Sequence, residues 1–219
     1  MQCYFDPMCP WAYQTSRWLR EVRGERGVGI EWRFFSLEEI NREPGKKHPW
    51  ERDWSYGWSQ MRIGARLRRD GQDVLDRWYA ACGAAFFERG EHTYLREGAE
   101  AVLESIGLSA SLVAEAIEDP TTTDEVKADH LGLVAEHGGH GVPTLVFEDG
   151  QALFGPVVLD APTGPASATL WDLVQGWRAY PDLFELRRPK TAADMGRIAG
   201  AFSTYVNARA WRTIEHPAR

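Results

Sequence analysis

Tyr4-Phe5-Asp6-Pro7-Met8-Cys9-Pro10-Trp11-Ala12 is the stretch on which the reading of this chain turns. Gln2 to Phe5 reads as a short strand and Asp6-Pro7-Met8 as a turn. Pro10 suits the first position of a helix, where its missing N–H costs nothing. A thiol is therefore set just before a helix start. Unpaired backbone N–H groups and the positive end of the helix dipole meet it there, and both favour thiolate over thiol. The thiolate is the form that attacks. Three residues on stands Ala12, not a second cysteine. A lone thiolate can attack and can carry a mixed disulfide, but it cannot close an internal disulfide with that neighbour.

Outward from this point, Trp11, Thr15, Trp18, Leu19 and Val22 recur at helical spacing, and Gly24 or Gly27 ends the run. Val28 to Leu37 reads as a second strand, rich in aromatic residues. The opening is a βαβ unit, and its two strands are expected to be parallel. From Glu38 to about His137 the pattern is helical: Trp50–Asp70, Val74–Arg89, Thr93–Ser105, Ser109–Ile117 and Thr123–His137. Strand signal returns at Thr144–Phe147, and Glu148-Asp149-Gly150 turns the chain into Gln151–Phe154. Gly155-Pro156 stops that strand. Ala166–Trp177 is an amphipathic helix with Leu170, Trp171, Val174 and Trp177 on its apolar side. Another helix is expected from Ala192 to Arg212.

The order βαβ, helical block, ββα predicts an α/β chain with the thioredoxin fold and a large all-helical insertion. Residues 1–37 and 138–190 would form the thioredoxin-like domain, 38–137 the insertion domain and 191–219 a C-terminal helical extension. The extension docks either on its own domain or on a second subunit, and Phe202 and Trp211 are the residues that decide. Monomer and homodimer both stay open.

Four blocks together carry a family resemblance: Asp6-Pro7-Met8-Cys9-Pro10-Trp11 with Thr15-Ser16-Arg17-Trp18; Gly141-Val142-Pro143-Thr144; Phe154-Gly155-Pro156-Val157; and Tyr180-Pro181-Asp182-Leu183-Phe184-Glu185-Leu186. They resemble the DsbA-like family, and within it most closely the mycothiol-dependent nitroreductases of actinobacteria. The resemblance covers about residues 1 to 190 and is weakest in the insertion. Members mostly carry Cys-Pro-Trp-Cys, so this chain departs at Ala12.

The resemblance implies that Cys9 is the catalytic nucleophile. It also implies that Pro143 is preceded by a cis bond that turns the Val142 backbone toward Cys9. The Val142 N–H and C=O would then pair with an extended thiol ligand as an added strand does. Pro10, Trp11, Ala12, Val142 and Pro143 become the residues that bind mycothiol, or another low-molecular-weight thiol such as glutathione. Trp11 would stack on a flat substrate, a nitroaromatic or quinone-like compound. Kappa-class transferases and chromene carboxylate isomerases share the fold and lack a resolving cysteine, so conjugation or isomerisation is the alternative chemistry. A non-catalytic protein that binds a ligand or partner is the third.

Bulk properties narrow the classes. The 219 residues are 43% hydrophobic and 26% charged, with a net charge of −7. No basic excess exists to neutralise phosphates, which argues against nucleic-acid binding. Arg17, Arg20, Glu21, Arg23, Glu25 and Arg26 interleave and read as a solvated helix face. No signal peptide or run of membrane-span length stands out. Three cysteines are no disulfide framework, so the cytoplasm is the expected compartment. Cys3 and Cys82 are expected to be buried or inert.

No Gly-x-Gly-x-x-Gly follows a strand, so no bound nicotinamide or flavin is indicated, and reducing equivalents would come from a soluble thiol. His130, His137 and His140 match no zinc spacing; His137 or His140 would form a polar wall of the site. Trp50, Trp54 and Trp58 fall at i, i+4 and i+8 on the expected helix, either as core or as an aromatic roof over Cys9. Arg62 and Arg66 continue that face, facing either solvent or carboxylates of a substrate. Tyr13 is a candidate hydroxyl donor in the pocket. Asp6 is either a proton acceptor or an Asp-Pro turn residue.

Overall fold

The structure, a computed structural model, describes residues 1–208. Trp211 and the last turn of the expected C-terminal helix lie outside the described residues. Strand β1 (Gln2–Phe5) lies parallel to β2 (Glu31–Phe34) and antiparallel to β3 (Thr144–Val146), which pairs antiparallel with β4 (Ala152–Phe154). The sheet order is β2-β1-β3-β4. With helix α1 (Pro10–Arg26) between β1 and β2, and α8 (Gly164–Trp177) after β4, this is the thioredoxin fold. β2 is shorter than the apolar run Val28–Leu37 because it can pair only along the four residues of β1.

Alternation along the strands sets one aromatic face. Phe5 registers against Phe34, and Cys3 against Trp32. The Phe5 ring stacks on Tyr79 at 3.9 Å and meets Trp32 edge-on at 5.9 Å. Tyr79 belongs to α4 (Gln72–Gly83), which therefore covers this face. Helix α1 stops at Gly27, whose φ of 66° turns the chain and lets its N–H reach the Arg23 carbonyl. Arg20 and Arg23 are not on a solvated face. Both bind the Asp76 carboxylate of α4, each at 2.7 Å, and the Arg20 guanidinium lies over the rings of Trp32 and Tyr79.

The chain between β2 and β3 is helical: α2 (Leu37–Ile40), α3 (Tyr56–Arg68), α4, α5 (Arg96–Ser105), α6 (Ser111–Glu118) and α7 (Pro120–His137). One π-helical turn, Ala84–Glu88, continues α4. The expected helix over Trp50–Asp70 is broken. Pro49–Glu51 forms a single 3-10 turn, and the backbone is extended at Arg52 and Ser55. Local side-chain bonds compete with the helix there. The Ser55 N–H donates to Ser59 Oγ, and Ser55 Oγ donates to Glu38. Trp50, Trp54 and Trp58 therefore share no helix face.

Buried ion pairs fasten these helices. Asp129 of α7 accepts from Arg33 of β2, from Arg68 of α3 and from the Phe34 N–H. Arg62 of α3 donates to the carbonyls of Ala116, Ile117 and Asp119 and to Thr122 Oγ1, satisfying the carbonyl end of α6. Arg66 pairs with Asp70 and Glu115. Neither arginine is left to receive a substrate. Among the described residues no helix is long and apolar enough to cross a membrane.

After α8 the chain runs without regular structure to α9 (Ala192–Ala201) and α10 (Ser203–Ala208). Arg62→Leu strands those buried carbonyls and is expected to cost on the order of 3 kcal/mol. Arg66→Leu, which loses only partly exposed pairs, should cost less than about 1 kcal/mol. Urea unfolding of the two variants checks this contrast.

Candidate active site

Cys9 is the N-cap of α1, with extended backbone (φ −95°, ψ 113°) and its Sγ accepting from the Ala12 N–H at 3.5 Å. Its own N–H donates to the Asp6 carbonyl at 3.0 Å. The turn between β1 and α1 is held from below by the Asp6 carboxylate, which is 1% exposed. One oxygen accepts from the Met8 N–H and the other from the Leu37 N–H, both at 2.8 Å. A Cβ on Gly57 would stand 3.5 and 3.6 Å from these oxygens, so α3 approaches the carboxylate closely. Burial pushes the Asp6 carboxyl up to about 6, against the pull of the two N–H groups.

Opposite Cys9 lies the loop before β3. The Val142–Pro143 bond is cis, and Cys9 Sγ is 3.8 Å from the Val142 carbonyl oxygen. The Val142 N–H has no acceptor among the described residues. A second cis bond, Gly155–Pro156, follows β4. The sequence reads Pro156 as a strand stop and as part of the third block, with no sign of its cis bond. The Gly155 N–H bonds the Pro143 carbonyl at 2.8 Å, and Thr15 Oγ1 donates to the Pro156 carbonyl at 2.6 Å. Trp18 Nε1 donates to the Ser167 carbonyl of α8. Residues from the first three sequence blocks thus converge on one end of the sheet.

The thiol itself departs from expectation. Cys9 is 4% exposed, and burial pushes its pKa up to about 12. The N–H groups of Ala12 and Trp11 lower it and the Asp6 charge raises it, but desolvation is the largest effect. The helix start favours thiolate as its geometry demands, yet exclusion of water outweighs it. Cys3 and Cys82 are likewise buried and free, with their thiols raised by burial.

Trp11 is partly buried, and the ring of Phe202 meets it edge-on at 4.8 Å. Phe202 in turn meets Tyr205 at 5.8 Å, and Tyr205 meets Phe86 and Phe87 of the π-helical turn at 5.5 and 5.2 Å. Met8 packs against this same cluster. The aromatic cluster that reaches Trp11 is therefore built from Phe86, Phe87, Phe202 and Tyr205, none of which the sequence assigned to the site. The only local signal was the run Ala84-Ala85-Phe86-Phe87.

Other candidates are engaged elsewhere. Trp50 stacks on His48 and lies under Lys127, while Trp54 Nε1 bonds the Tyr94 carbonyl. Tyr13 stacks on Phe87 and gives its hydroxyl to Glu88 at 2.7 Å, so it does not serve a pocket. His130 is buried, its Nδ1 accepts from the Ser36 N–H, and burial lowers its pKa, so it is neutral. His140 is exposed against Phe154. Among the described residues no group of His, Cys, Asp and Glu could hold a metal ion.

A family model described as Rv2466c-like, mycothiol-dependent nitroreductase Rv2466c, matches residues 8–188. The chain belongs to this family. Membership makes it, in general terms, a thiol-dependent enzyme. It is similar to the uncharacterized protein Rv2286c of Mycobacterium tuberculosis (strain ATCC 25618 / H37Rv), 54% identical over 211 residues, covering 96% of this chain and 91% of the relative. Among solved structures it resembles a 2-hydroxychromene-2-carboxylate isomerase, with a TM-score of 0.58 at 14% identity over 81% of this chain and 94% of that one. It also resembles a candidate protein disulfide isomerase from Nitrosomonas europaea, with a TM-score of 0.53 at 15% identity over 82% and 98%. At such identities these two speak for the fold alone.

Folding disfavours ionised Asp6, so the stability its protonated form contributes is complete below about pH 4 and is lost as pH rises through about 6. Asp6→Asn cannot ionise but keeps only one acceptor oxygen, so it starts below the wild type at about pH 4 and its deficit is expected to narrow as pH rises to about 7. Urea midpoints of both proteins across that range check this; parallel curves would refute a titrating Asp6.

Proposed function

We propose that the chain is a low-molecular-weight-thiol-dependent oxidoreductase that works through Cys9 alone, with mycothiol as the thiol and a flat nitroaromatic or quinone-like compound as the electron acceptor. The observation that carries this reading is the single thiol of Cys9 facing the Val142 backbone across the cis Val142–Pro143 bond, one helical turn from Ala12. The Val142 N–H and carbonyl offer one donor and one acceptor to an extended ligand beside the sulfur, the pairing that an added strand makes. Pro10 and Ala12 shape the floor of this site, and Trp11 supplies a ring face.

Redox turnover then balances as follows. The acceptor takes up two electrons and two protons, while Cys9 and one small thiol give them up and join as a mixed disulfide. A second small thiol attacks that disulfide, and the two small thiols leave joined to each other, returning Cys9 as a thiol. The external second thiol does what a cysteine at position 12 would do in a dithiol enzyme. We assign the reacting body to residues 1–37 and 138–190, with 38–137 as a helical insertion and 191–219 as an extension, in a cytoplasmic protein.

One observation favours a second reading. Burial keeps Cys9 protonated, and a protonated thiol can donate a hydrogen bond to a cofactor thiolate. That would suit a transferase or isomerase of the kappa-class type. The two differ in stoichiometry: redox turnover consumes two thiols per event, conjugation one and isomerisation none.

Intact mass after incubation with oxidised mycothiol, and separately with oxidised glutathione, tests the leading reading. One added thiol per chain is expected with mycothiol, and none in Cys9→Ser. No adduct with either thiol would remove the redox reading. Ala12→Cys should close an internal disulfide with Cys9 under mild oxidation; persistence of two free thiols there would count against the assigned site geometry.

A further inference from the structure

The family match ends at residue 188, yet the chain beyond it returns to the site. Helix α9 begins at a capping box, with Thr191 Oγ1 accepting from the Asp194 N–H and Asp194 accepting from the Thr191 N–H. Along α9 and α10 themselves no residue is buried, and Met195 is 54% exposed. The exception lies between them. Phe202, at the junction, is 7% exposed, and its ring meets the Trp11 indole. Further contacts hold the segment between these helices and the π-helical turn. Tyr205 rests on the π-helical turn, Tyr94 donates to the Ala208 carbonyl at 3.4 Å, and Gly90 makes room beside Thr204 and Ala208. Two helices without a buried residue along their length belong to the low-stability end of a fold.

We propose that residues 191–208 form an intramolecular cap in which Phe202 occupies the aromatic subsite on Trp11, so that Cys9 is reached only when the cap lifts. The proposal rests on Cys9 as the reacting thiol and adds the selection of its ligands. A flat aromatic compound restores to Trp11 the ring contact that Phe202 gives up. An aliphatic compound of similar size does not. The difference corresponds to roughly tenfold in favour of aromatic ligands.

The test needs no small-thiol cofactor. Alkylation of Cys9 by iodoacetamide, followed by intact mass with Cys9→Ser as the blank, is expected to run at least about tenfold faster in Phe202→Ala than in wild type. Phe202→Tyr, which keeps a ring on Trp11, should stay within about threefold. On the wild-type protein, Cys9 is also converted by benzyl methanethiosulfonate to its benzyl disulfide, releasing methanesulfinate and setting an aromatic ring beside Trp11. Amide hydrogen exchange across residues 195–208 is then expected to speed up at least fivefold. A folded Phe202→Ala protein that alkylates within twofold of wild type overturns the cap, as does exchange unchanged by the benzyl group. Should Phe202→Ala not fold, the exchange measurement decides. Faster alkylation without any mycothiol adduct would leave the cap standing and remove the cofactor reading instead.

Discussion

A buried carboxylate organises the end of the sheet that carries Cys9 and the cis Val142–Pro143 bond. Asp6 receives one N–H from the turn that leads into α1 and one from the start of α2, so two segments that diverge after the sheet are pinned to a single side chain. Leaving either N–H unpaired in that dry position would cost about 1–3 kcal/mol. The position of Cys9 follows, because its backbone N–H closes the same turn onto the Asp6 carbonyl. The cis-proline loop then needs only the β1–β3 pairing to come within reach of the sulfur.

Two opposing influences meet at that sulfur. Helix geometry supplies donors and a positive dipole end, worth a fraction of a kcal/mol to about 2 kcal/mol when partly buried. Burial works the other way and prevails. The same tension runs through the helical region between β2 and β3, where carboxylates are buried but never alone. Asp76 is shared by Arg20 and Arg23, and Asp129 by Arg33 and Arg68. Removing one partner would leave an uncompensated charge, so these clusters fix how α4 meets α1 and how α7 meets the sheet.

What could be read from the sequence was local. Strands, the proline-started α1 and the Glu148-Asp149-Gly150 hairpin carry short-range signals, and they led to the thioredoxin fold. The failures have long-range or competing causes. The tryptophan spacing over residues 50–58 looked helical, but Ser55, Ser59 and Glu38 capture the backbone and side chains there. Arg20, Arg62 and Arg66 looked solvated or ligand-facing because their partners stand about 50 residues away in the chain. The neighbour of Trp11 is Phe202, and no periodicity links positions so far apart. The state of the Cys9 thiol is hidden for the same reason: a helix start is visible in sequence, and exclusion of water is not.

The burial of Cys9 has a consequence for survival under oxidative stress. Peroxides oxidise thiolates, and they do so in proportion to thiolate population and access. A solitary cysteine is vulnerable on this count, since no neighbour stands ready to trap a sulfenic acid as a disulfide before it is oxidised irreversibly. Here the resting sulfur is both protonated and shielded. The fold thus keeps the sulfur proposed to react out of reach of indiscriminate oxidants in the interval between encounters.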